Sequence, residues 1–427
     1  MTASSEKRAR ERAVTVGLAL PENPPSGVEE HLDELEKLSE AAGGEVVGRI
    51  VQERRAPDSA TFIGKGKVGE LAELAKARRA QLVIFDDDLS PAQARNLEKA
   101  VGIKVIDRSG LILDIFARRA RSREARTQVE LAQLKYLLPR LTRQWSHLER
   151  QAGGIGTRGV GETQLELDRR IIRERISRLQ EELGAIERTR ETQRRGRDRA
   201  YTVALVGYTN AGKSTLFNRL TQGETFVMDQ LFATLDSKLQ KAHAPMPRET
   251  VYIDTVGFIR KLPHHLVASF RSTMEEASSA DLVLHVINLA HRHVEEQREV
   301  GQQVLADLGV GEEKILEVYN KVDAVPQPSF LERSGREAVT VSALTAQGIG
   351  NLIERIRQRE LGEGEMLQLE IPASEGKLAA WAHEIGIVRE RVERDGVVEL
   401  TAWIPHEQRH QFEPYRVATP EAPAETA

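Results

Sequence analysis

The chain has no cysteine among its 427 residues. It therefore has no disulfide framework and no thiolate metal site, which is compatible with a reducing compartment. It also lacks long apolar runs: the run at 282–287 is far shorter than the roughly 20 residues of a membrane-spanning helix. The net charge of −4 gives no global reason to expect nucleic-acid binding, so any basic surface must be local.

The N-terminal stretch "EKRARER" followed by "AVTVGLAL" imitates a short signal peptide. Its apolar part is short, Pro21 ends it, and no small-residue cleavage pattern follows. A first β-strand is the favoured interpretation. We expect a cytoplasmic protein without a membrane partner, with transient membrane association left open.

The order of apolar and helical segments predicts a multidomain α/β protein. Strand and helix patterns alternate through residues 1–116, as in a small parallel α/β domain. Two charged segments, 115–148 and 163–195, have apolar residues at helical spacing and predict two long antiparallel helices. The predicted domains are the N-terminal α/β domain at 1–116, a long helical hairpin with a Gly-rich tip at 117–197, a P-loop domain at 198–362, a small α+β domain at 363–415 with an Asp395-Gly396 hairpin turn, and a disordered tail at 416–427.

The stretch "TVALVGYTNAGKSTLFNRL" carries the P-loop pattern between an apolar strand and a helix. Backbone N–H groups at such a helix start bind phosphate, the lysine neutralises its charge, and the Ser214 hydroxyl reaches Mg²⁺. The predicted nucleotide-binding residues of this loop are Gly207, Tyr208, Thr209, Asn210, Ala211, Gly212, Lys213, Ser214 and Thr215.

Four further motifs lie after the P-loop in the order that a GTPase requires. "VYIDTVG" places a carboxylate for Mg²⁺, through water, and then a glycine N–H for the γ-phosphate. "NKVD" suits guanine, because a carboxylate can accept both the N1–H and the N2 amine. "VTVSAL" offers a loop N–H to the guanine O6, and a threonine in "LFATLD" completes the Mg²⁺ shell. These residues are Asp254, Gly257, Asn320, Lys321, Asp323, Ser342, Ala343 and Thr234. The catalytic candidates are Thr234 and Gly257, together with Lys213 of the P-loop.

A second glycine loop, "GKGKVG" at 64–69, opens a helix and precedes Asp86–Asp88 by about 20 residues, as a dinucleotide-binding fingerprint would. The preceding "SATFI" is a poor buried strand, and two lysines stand where the backbone should approach a pyrophosphate. The simpler alternative is a basic turn that leads into a helix.

A third loop, "GIGTRG" at 154–159, has neither a preceding strand nor an acidic partner. Residues 118–158 hold ten Lys/Arg against three Asp/Glu, and a glycine tip with a projecting arginine suits RNA. A solvated connection between helices is the alternative. The candidate RNA contacts are Arg118, Arg119, Gly154, Gly156, Arg158 and Gly159.

With these motifs the sequence resembles the HflX family of translational GTPases over nearly its whole length. The resemblance rests on the stretches "FIGKGKV", "GGIGTRGVGETQLELDRR", "GYTNAGKSTLFN", "DQLFATLD", "DTVGFIRKLPHHLVASFRSTMEE" and "NKVD". It implies a GTPase that binds GTP or GDP and the rRNA of the large ribosomal subunit, where family members are linked to splitting stalled ribosomes during stress. Val160 departs from the family's usual proline, and Asn288 from its usual aspartate.

The residue after Gly257 is Phe258, which cannot orient a water as the glutamine of Ras-like enzymes does. We therefore expect slow intrinsic hydrolysis that the ribosome stimulates. Asn210 is a candidate K⁺ ligand, K⁺ then taking the place of an arginine finger; the alternative is an asparagine that braces the loop. We expect a monomer.

Two other functions stay open at this point. One is a GTP-switched scaffold that binds a protein through the helical hairpin without any RNA role. The other is an NAD-linked enzyme that uses the glycine loop at 64–69. Salt-sensitive binding favours the RNA role over the scaffold, because phosphate contacts weaken steeply with salt.

Overall fold

A computed structural model describes residues 10–21, 24–141, 164–195, 200–223, 232, 238–246, 248–261, 276–325, 338–362, 364–394 and 396–417. It is a multidomain α/β structure, as the sequence predicts. Among the helices of these ranges, none is long and apolar enough to cross a membrane.

The N-terminal region folds around four parallel strands in the order β2-β1-β3-β4. Helices cover both faces, because the apolar residues of β1 alternate between two core clusters. The elements are β1 (Glu11–Ala19), α1 (Pro25–Ala41), β2 (Gly44–Glu53), α2 (Lys65–Ala77), β3 (Leu82–Phe85), α3 (Pro91–Val101), β4 (Lys104–Asp107) and α4 (Arg108–Arg119). The strand expected in place of a signal peptide is β1.

The helical pattern that we predict from residue 115 onwards is not one long helix. The structure ends α4 at Arg119 and starts α5 (Arg123–Leu137) after Ser122, whose hydroxyl accepts the Ala125 N–H and caps the new helix. Apolar spacing alone did not reveal this break. The prediction was wrong here because charged residues on both sides of the cap continue the helical pattern.

The antiparallel pair of the hairpin consists of α5 and α6 (Gln164–Arg195). Arg175 of α6 forms two hydrogen bonds to Glu130 of α5, and Arg123 at the start of α5 binds Glu182 further along α6. The two helices therefore run in opposite directions. Residues 142–163, which include the predicted Gly-rich tip, lie outside the described residues.

The P-loop region is a six-stranded sheet in the order β10-β9-β8-β5-β7-β6, parallel except for the edge strand β6. The carboxyl ends of β5, β7, β8 and β9 meet at one edge, where open α/β sheets bind ligands. The elements are β5 (Tyr201–Gly207), α7 (Lys213–Thr221), β6 (Lys238–Lys241), β7 (Thr250–Asp254), β8 (Leu282–Asn288), α8 (Val294–Asp307), β9 (Ile315–Asn320), β10 (Ala338–Thr340) and α9 (Ile349–Leu361).

The C-terminal region is a separate three-stranded antiparallel sheet in the order β11-β13-β12, with a helix packed against it. Its elements are β11 (Gly364–Pro372), α10 (Gly376–Ile385), β12 (Ile387–Arg394), β13 (Val397–Pro405) and α11 (Arg409–Phe412). This is the small α+β arrangement that the sequence predicts. The tail from residue 418 lies outside the described residues.

The N-terminal and P-loop regions share one apolar core cluster. It joins side chains of α1 and α4 to residues of β5 and β7. Within it the Phe116 ring of α4 packs edge-to-face on Phe232, with ring centroids 4.7 Å apart. Phe232 lies two residues before Thr234 in the sequence.

A buried histidine in the P-loop sheet gives a testable pH dependence. His285 in β8 is 1% exposed, and burial lowers its pKa to about 4, although the charge of Glu317 opposes the shift. Because an exposed histidine has a pKa of 6.5, the contribution of neutral His285 to stability is complete above pH 6.5 and is lost as the pH falls towards 4.

In ¹³C-histidine-labelled protein, we expect the His285 imidazole resonance to keep its neutral shift at pH 5.5. The resonance is assigned by its absence from the His285→Gln variant. A titration midpoint above pH 6 would contradict the burial argument.

Candidate nucleotide-binding site

The P-loop joins the end of β5 to the start of α7. Gly207 has a φ of +146°, and a Cβ there would collide with the Val286 carbonyl oxygen. Gly212 has a φ of +91°, and its Cβ would collide with the Asn320 side chain. Only glycine suits these positions, and the resulting turn exposes backbone N–H groups at the start of α7.

Lys213 begins α7 with a buried side chain. Its Nζ donates to the carbonyl oxygens of Gly207, at 3.0 Å, and of Tyr208, at 2.9 Å. Burial lowers the Lys213 pKa to about 8, against the charge of Asp254. A phosphate group would therefore relieve an ammonium that the fold holds out of water.

Two of the three predicted Mg²⁺ ligands lie together. The Ser214 hydroxyl donates to the Asp254 Oδ2 at 2.8 Å, and Asp254 is fully buried at the end of β7. A hydroxyl and a carboxylate oxygen fit Mg²⁺, which prefers oxygen ligands and keeps several waters. Thr234 lies outside the described residues, and Thr215 follows Ser214 in the first turn of α7.

The segment after Asp254 lies directly on the P-loop. The Phe258 N–H donates to the Gly207 carbonyl oxygen at 2.9 Å, and the Thr209 N–H donates to the Phe258 carbonyl oxygen at 2.7 Å. A Cβ on Gly257 would stand 2.8 Å from the Thr209 Cα and 2.9 Å from the Lys213 Nζ. Gly257 is thus placed beside Lys213, while the Phe258 ring is buried and offers no polar atom.

The motifs predicted to read guanine are tied to the P-loop by Asn320. Its Oδ1 accepts the Ala343 N–H at 3.0 Å, and its Nδ2 donates to the Ala211 carbonyl oxygen at 2.8 Å. Arg219 of α7 also donates to the Ala343 carbonyl oxygen at 2.9 Å. Ser342 is fully buried in the same loop. Sequence reasoning found Asn320 but missed Arg219. The spacing of the apolar residues in α7 indicates only that Arg219 lies on the polar surface of the helix.

Two other predicted guanine-site residues are positioned by backbone geometry. Lys321 adopts a φ of +67°, and its Nζ lies 3.4 Å from the Asn210 Oδ1. Asp323 follows in a short 3-10 turn with an exposed side chain. Asn288, the residue that departs from the family pattern, ends β8, and its Oδ1 accepts the Ala290 N–H at 3.1 Å.

The glycine loop at 64–69 does not have the strand-loop-helix geometry of a dinucleotide site. Gly64 starts α2 after a turn in which Asp58 pairs with Phe62, so no strand leads into it. Asp86, the acidic residue of the dinucleotide alternative, pairs instead with Arg108 and Lys261. The glycine loop at 154–159 and the residue after it lie outside the described residues. This loop holds the predicted RNA contacts Gly154, Gly156, Arg158 and Gly159, and Val160 is the departure from the family pattern.

The described RNA candidates, Arg118 and Arg119, lie at the end of α4. Arg118 is exposed and Arg119 half-buried. The 15 residues of α5, which follow them in the chain, form a helix about 22 Å long. The described basic residues of this segment are therefore spread from the end of α4 along α5.

Comparisons with known proteins match four consecutive family models. These are "GTP-binding GTPase N-terminal" at residues 29–117, "GTP-binding GTPase Middle Region" at 119–197, "50S ribosome-binding GTPase" at 202–321 and "HflX C-terminal domain" at 331–425. Together they span most of the chain.

Curated relatives are similar over nearly their full length. "GTPase HflX" of Escherichia coli (strain K12) is 48% identical over 383 residues, 88% of this chain and 90% of the relative. "GTPase HflX" of Caldanaerobacter subterraneus subsp. tengcongensis is 43% identical over 410 residues, 94% of each chain. A solved GTP-binding protein from Sulfolobus solfataricus, in complex with GDP, aligns at a TM-score of 0.43 and 24% identity over 82% of this chain and 98% of its own.

Proposed function

The chain belongs to the HflX family of GTPases, and on that premise we propose that it binds the large ribosomal subunit and dissociates or rescues stalled ribosomes under stress. Hydrolysis of GTP to GDP and phosphate is the activity of the family. The observation that carries this function is the convergence of Lys213, Ser214, Asp254 and Asn320 at one sheet edge. We place this action in the cytoplasm, with the protein as a monomer.

Ser214, Thr234 and Asp254, the last through water, would hold Mg²⁺. The ion would neutralise the charge of the bound phosphates, and Lys213 and the loop N–H groups add to this effect. Gly257 would then offer its N–H to the γ-phosphate. Because Phe258 cannot hold a water, we expect slow hydrolysis by the protein alone and faster hydrolysis on the ribosome.

Two features support the ribosomal partner. The P-loop region matches a model described as a "50S ribosome-binding GTPase". The junction of α4 and α5 also carries exposed basic side chains at Arg118, Arg121 and Arg126. We infer that these arginines contact rRNA phosphates, together with the predicted contacts at residues 154–159.

Sedimentation with purified ribosomal subunits tests this function. We expect the protein to pellet with the large subunit in the presence of a non-hydrolysable GTP analogue, and less so with GDP. The double variant Arg118→Glu/Arg119→Glu should bind about tenfold more weakly, with a smaller salt dependence, because phosphate contacts are lost.

The matched control is Arg389→Glu/Arg391→Glu, the same double charge reversal at exposed positions of β12. Binding that tolerates high salt and both charge reversals would favour the alternative function, a GTP-switched scaffold that binds a protein through the hairpin. Absence of binding to either subunit would overturn the ribosomal role.

A second cofactor, K⁺, would be held by the Oδ1 of Asn210. Asn210 adopts a φ of +60° in the P-loop turn. The Lys321 ammonium lies 3.4 Å from the Asn210 Oδ1, so this oxygen already faces one cation and could accept another. We expect GTP turnover in KCl to exceed that in NaCl about tenfold, and the difference to vanish in Asn210→Ala. Equal rates in both salts would leave Asn210 as a brace between the P-loop and Lys321.

A further inference from the structure

The hydroxyl of Tyr208 joins three segments that are far apart in the sequence. Tyr208 is the second residue of the P-loop, and its side chain is buried. Its hydroxyl accepts the Arg260 N–H at 2.9 Å and donates to the Glu34 Oε1 of α1 at 2.6 Å. Arg260 lies three residues after Gly257, so this oxygen links the P-loop, the γ-phosphate segment and the N-terminal region.

Glu34 is itself held in place. The Arg108 guanidinium, 1% exposed, donates to the Glu34 Oε2 through one nitrogen and to the Asp86 Oδ1, at 2.7 Å, through another. Burial would lower the Arg108 pKa, but the charges of Glu34 and Asp86 raise it well above its usual range. Arg108 thus stays charged, and the orientation of Glu34 is fixed from behind.

A second link runs parallel to the first. Lys261, the residue after Arg260, donates to the Asp86 Oδ2 at 2.6 Å and also to Asp87. Burial would raise the Asp86 pKa, but hydrogen bonding from His31 and the charges of Arg108 and Lys261 keep it well below its usual range. Two consecutive residues of the γ-phosphate segment are therefore linked to the N-terminal region, Arg260 indirectly through the Tyr208 hydroxyl and Lys261 directly through its own side chain.

The placement of this segment decides the reaction geometry. Gly257 must present its N–H to the γ-phosphate, and Phe258 contributes no polar group, so catalysis depends on where the backbone is held. Burial, and then the charge of Glu34, raise the Tyr208 pKa, so the hydroxyl keeps its proton and remains a donor to the carboxylate. Its lone pair then fixes the Arg260 N–H.

We propose that Glu34 and Tyr208 are positioning residues for GTP hydrolysis: through the Tyr208 hydroxyl, the N-terminal region holds the segment that follows Gly257 against the P-loop. Neither residue reaches the reacting atoms. The proposal concerns the hydrolysis step alone and does not depend on the ribosomal role.

Single-turnover GTP hydrolysis by the full-length protein, without ribosomes, tests the proposal. Tyr208→Phe removes only the hydroxyl, and we expect kcat to fall about tenfold, the fold-change typical of a hydrogen bond to a charged group, while GDP affinity stays within about twofold. Glu34→Ala should lower kcat equally. Glu34→Gln keeps an acceptor oxygen and should restore part of the rate.

The double variant Tyr208→Phe/Glu34→Ala should be no slower than either single variant, because the two residues act as one unit. Matched controls are Tyr252→Phe, a buried tyrosine of β7, and Glu29→Gln, an exposed carboxylate of α1, both with unchanged kcat. An unchanged kcat in Tyr208→Phe, losses that multiply in the double variant, or an equal loss of GDP affinity would each overturn the proposal.

Discussion

Replacing Gly257 by alanine is expected to lower GTP hydrolysis at least about a hundredfold while GDP affinity changes little. The added Cβ would stand 2.8 Å from the Thr209 Cα, a backbone atom that cannot rotate away, and 2.9 Å from the Lys213 Nζ. The segment must therefore move off the P-loop, and the Gly257 N–H moves away from the γ-phosphate. Removing one preorganised donor of this kind costs roughly 10²–10³ in kcat.

The effect should be confined to the triphosphate state. GDP lacks the γ-phosphate, and we propose that its β-phosphate is bound by the P-loop and Lys213, so calorimetry with GDP should give nearly the wild-type affinity. Single-turnover hydrolysis reports the loss. Wild-type turnover in Gly257→Ala, or a parallel loss of GDP affinity, would contradict the placement of Gly257.

Gly66→Ala is the matched control. Gly66 lies in α2, and a Cβ there meets no heavy atom within 4 Å. Hydrolysis should be unchanged, and the N-terminal region should gain about 0.5–1 kcal/mol of stability, because alanine loses less backbone entropy than glycine in a helix.

The sequence predicted those parts of the site that depend on local pattern. The P-loop, with Gly207, Gly212 and Lys213, joins an apolar strand to a helix. This local pattern can be recognised without knowledge of the fold. The parallel direction of neighbouring strands in the first two sheets, apart from the edge strand β6, was also predictable, because an alternation of strands and helices leaves few other arrangements. The antiparallel C-terminal sheet was predictable from its Asp-Gly turn.

The contacts between regions could not be predicted. Glu34 and Arg108 are charged residues in amphipathic patterns, where the default expectation is a solvated side chain. The burial of Arg108 and the half-burial of Glu34 follow from the packing of α1 and α4 on the P-loop region, which brings together residues that are 174 positions apart, such as Glu34 and Tyr208. The break at Ser122 was missed for a related reason, since a serine within a helical pattern is compatible with either a cap or a solvent-facing position.

The second large effect concerns the choice of base. Asp323→Asn is expected to weaken GTP binding at least about a hundredfold and to strengthen xanthosine triphosphate binding by a similar factor. A carboxylate accepts both the N1–H and the N2 amine of guanine, and each hydrogen bond to a charged group contributes about 1.5–3 kcal/mol. The asparagine amide turns an N–H donor towards the N2 amine of guanine, which is itself a donor. Xanthine carries a carbonyl oxygen at C2 in place of this amine, so the amide donor again faces an acceptor.

The surroundings should survive this substitution, because the backbone holds the turn. The Val322 N–H donates to the Val341 carbonyl oxygen at 3.3 Å, and Asn320 keeps the neighbouring loop on the P-loop. Competition binding with GTP and xanthosine triphosphate measures the change, and Asp307→Asn, the same replacement at an exposed position of α8, is the control. If the preference between the two nucleotides stays the same in Asp323→Asn, another residue reads the guanine, and the base pocket lies elsewhere on this sheet edge.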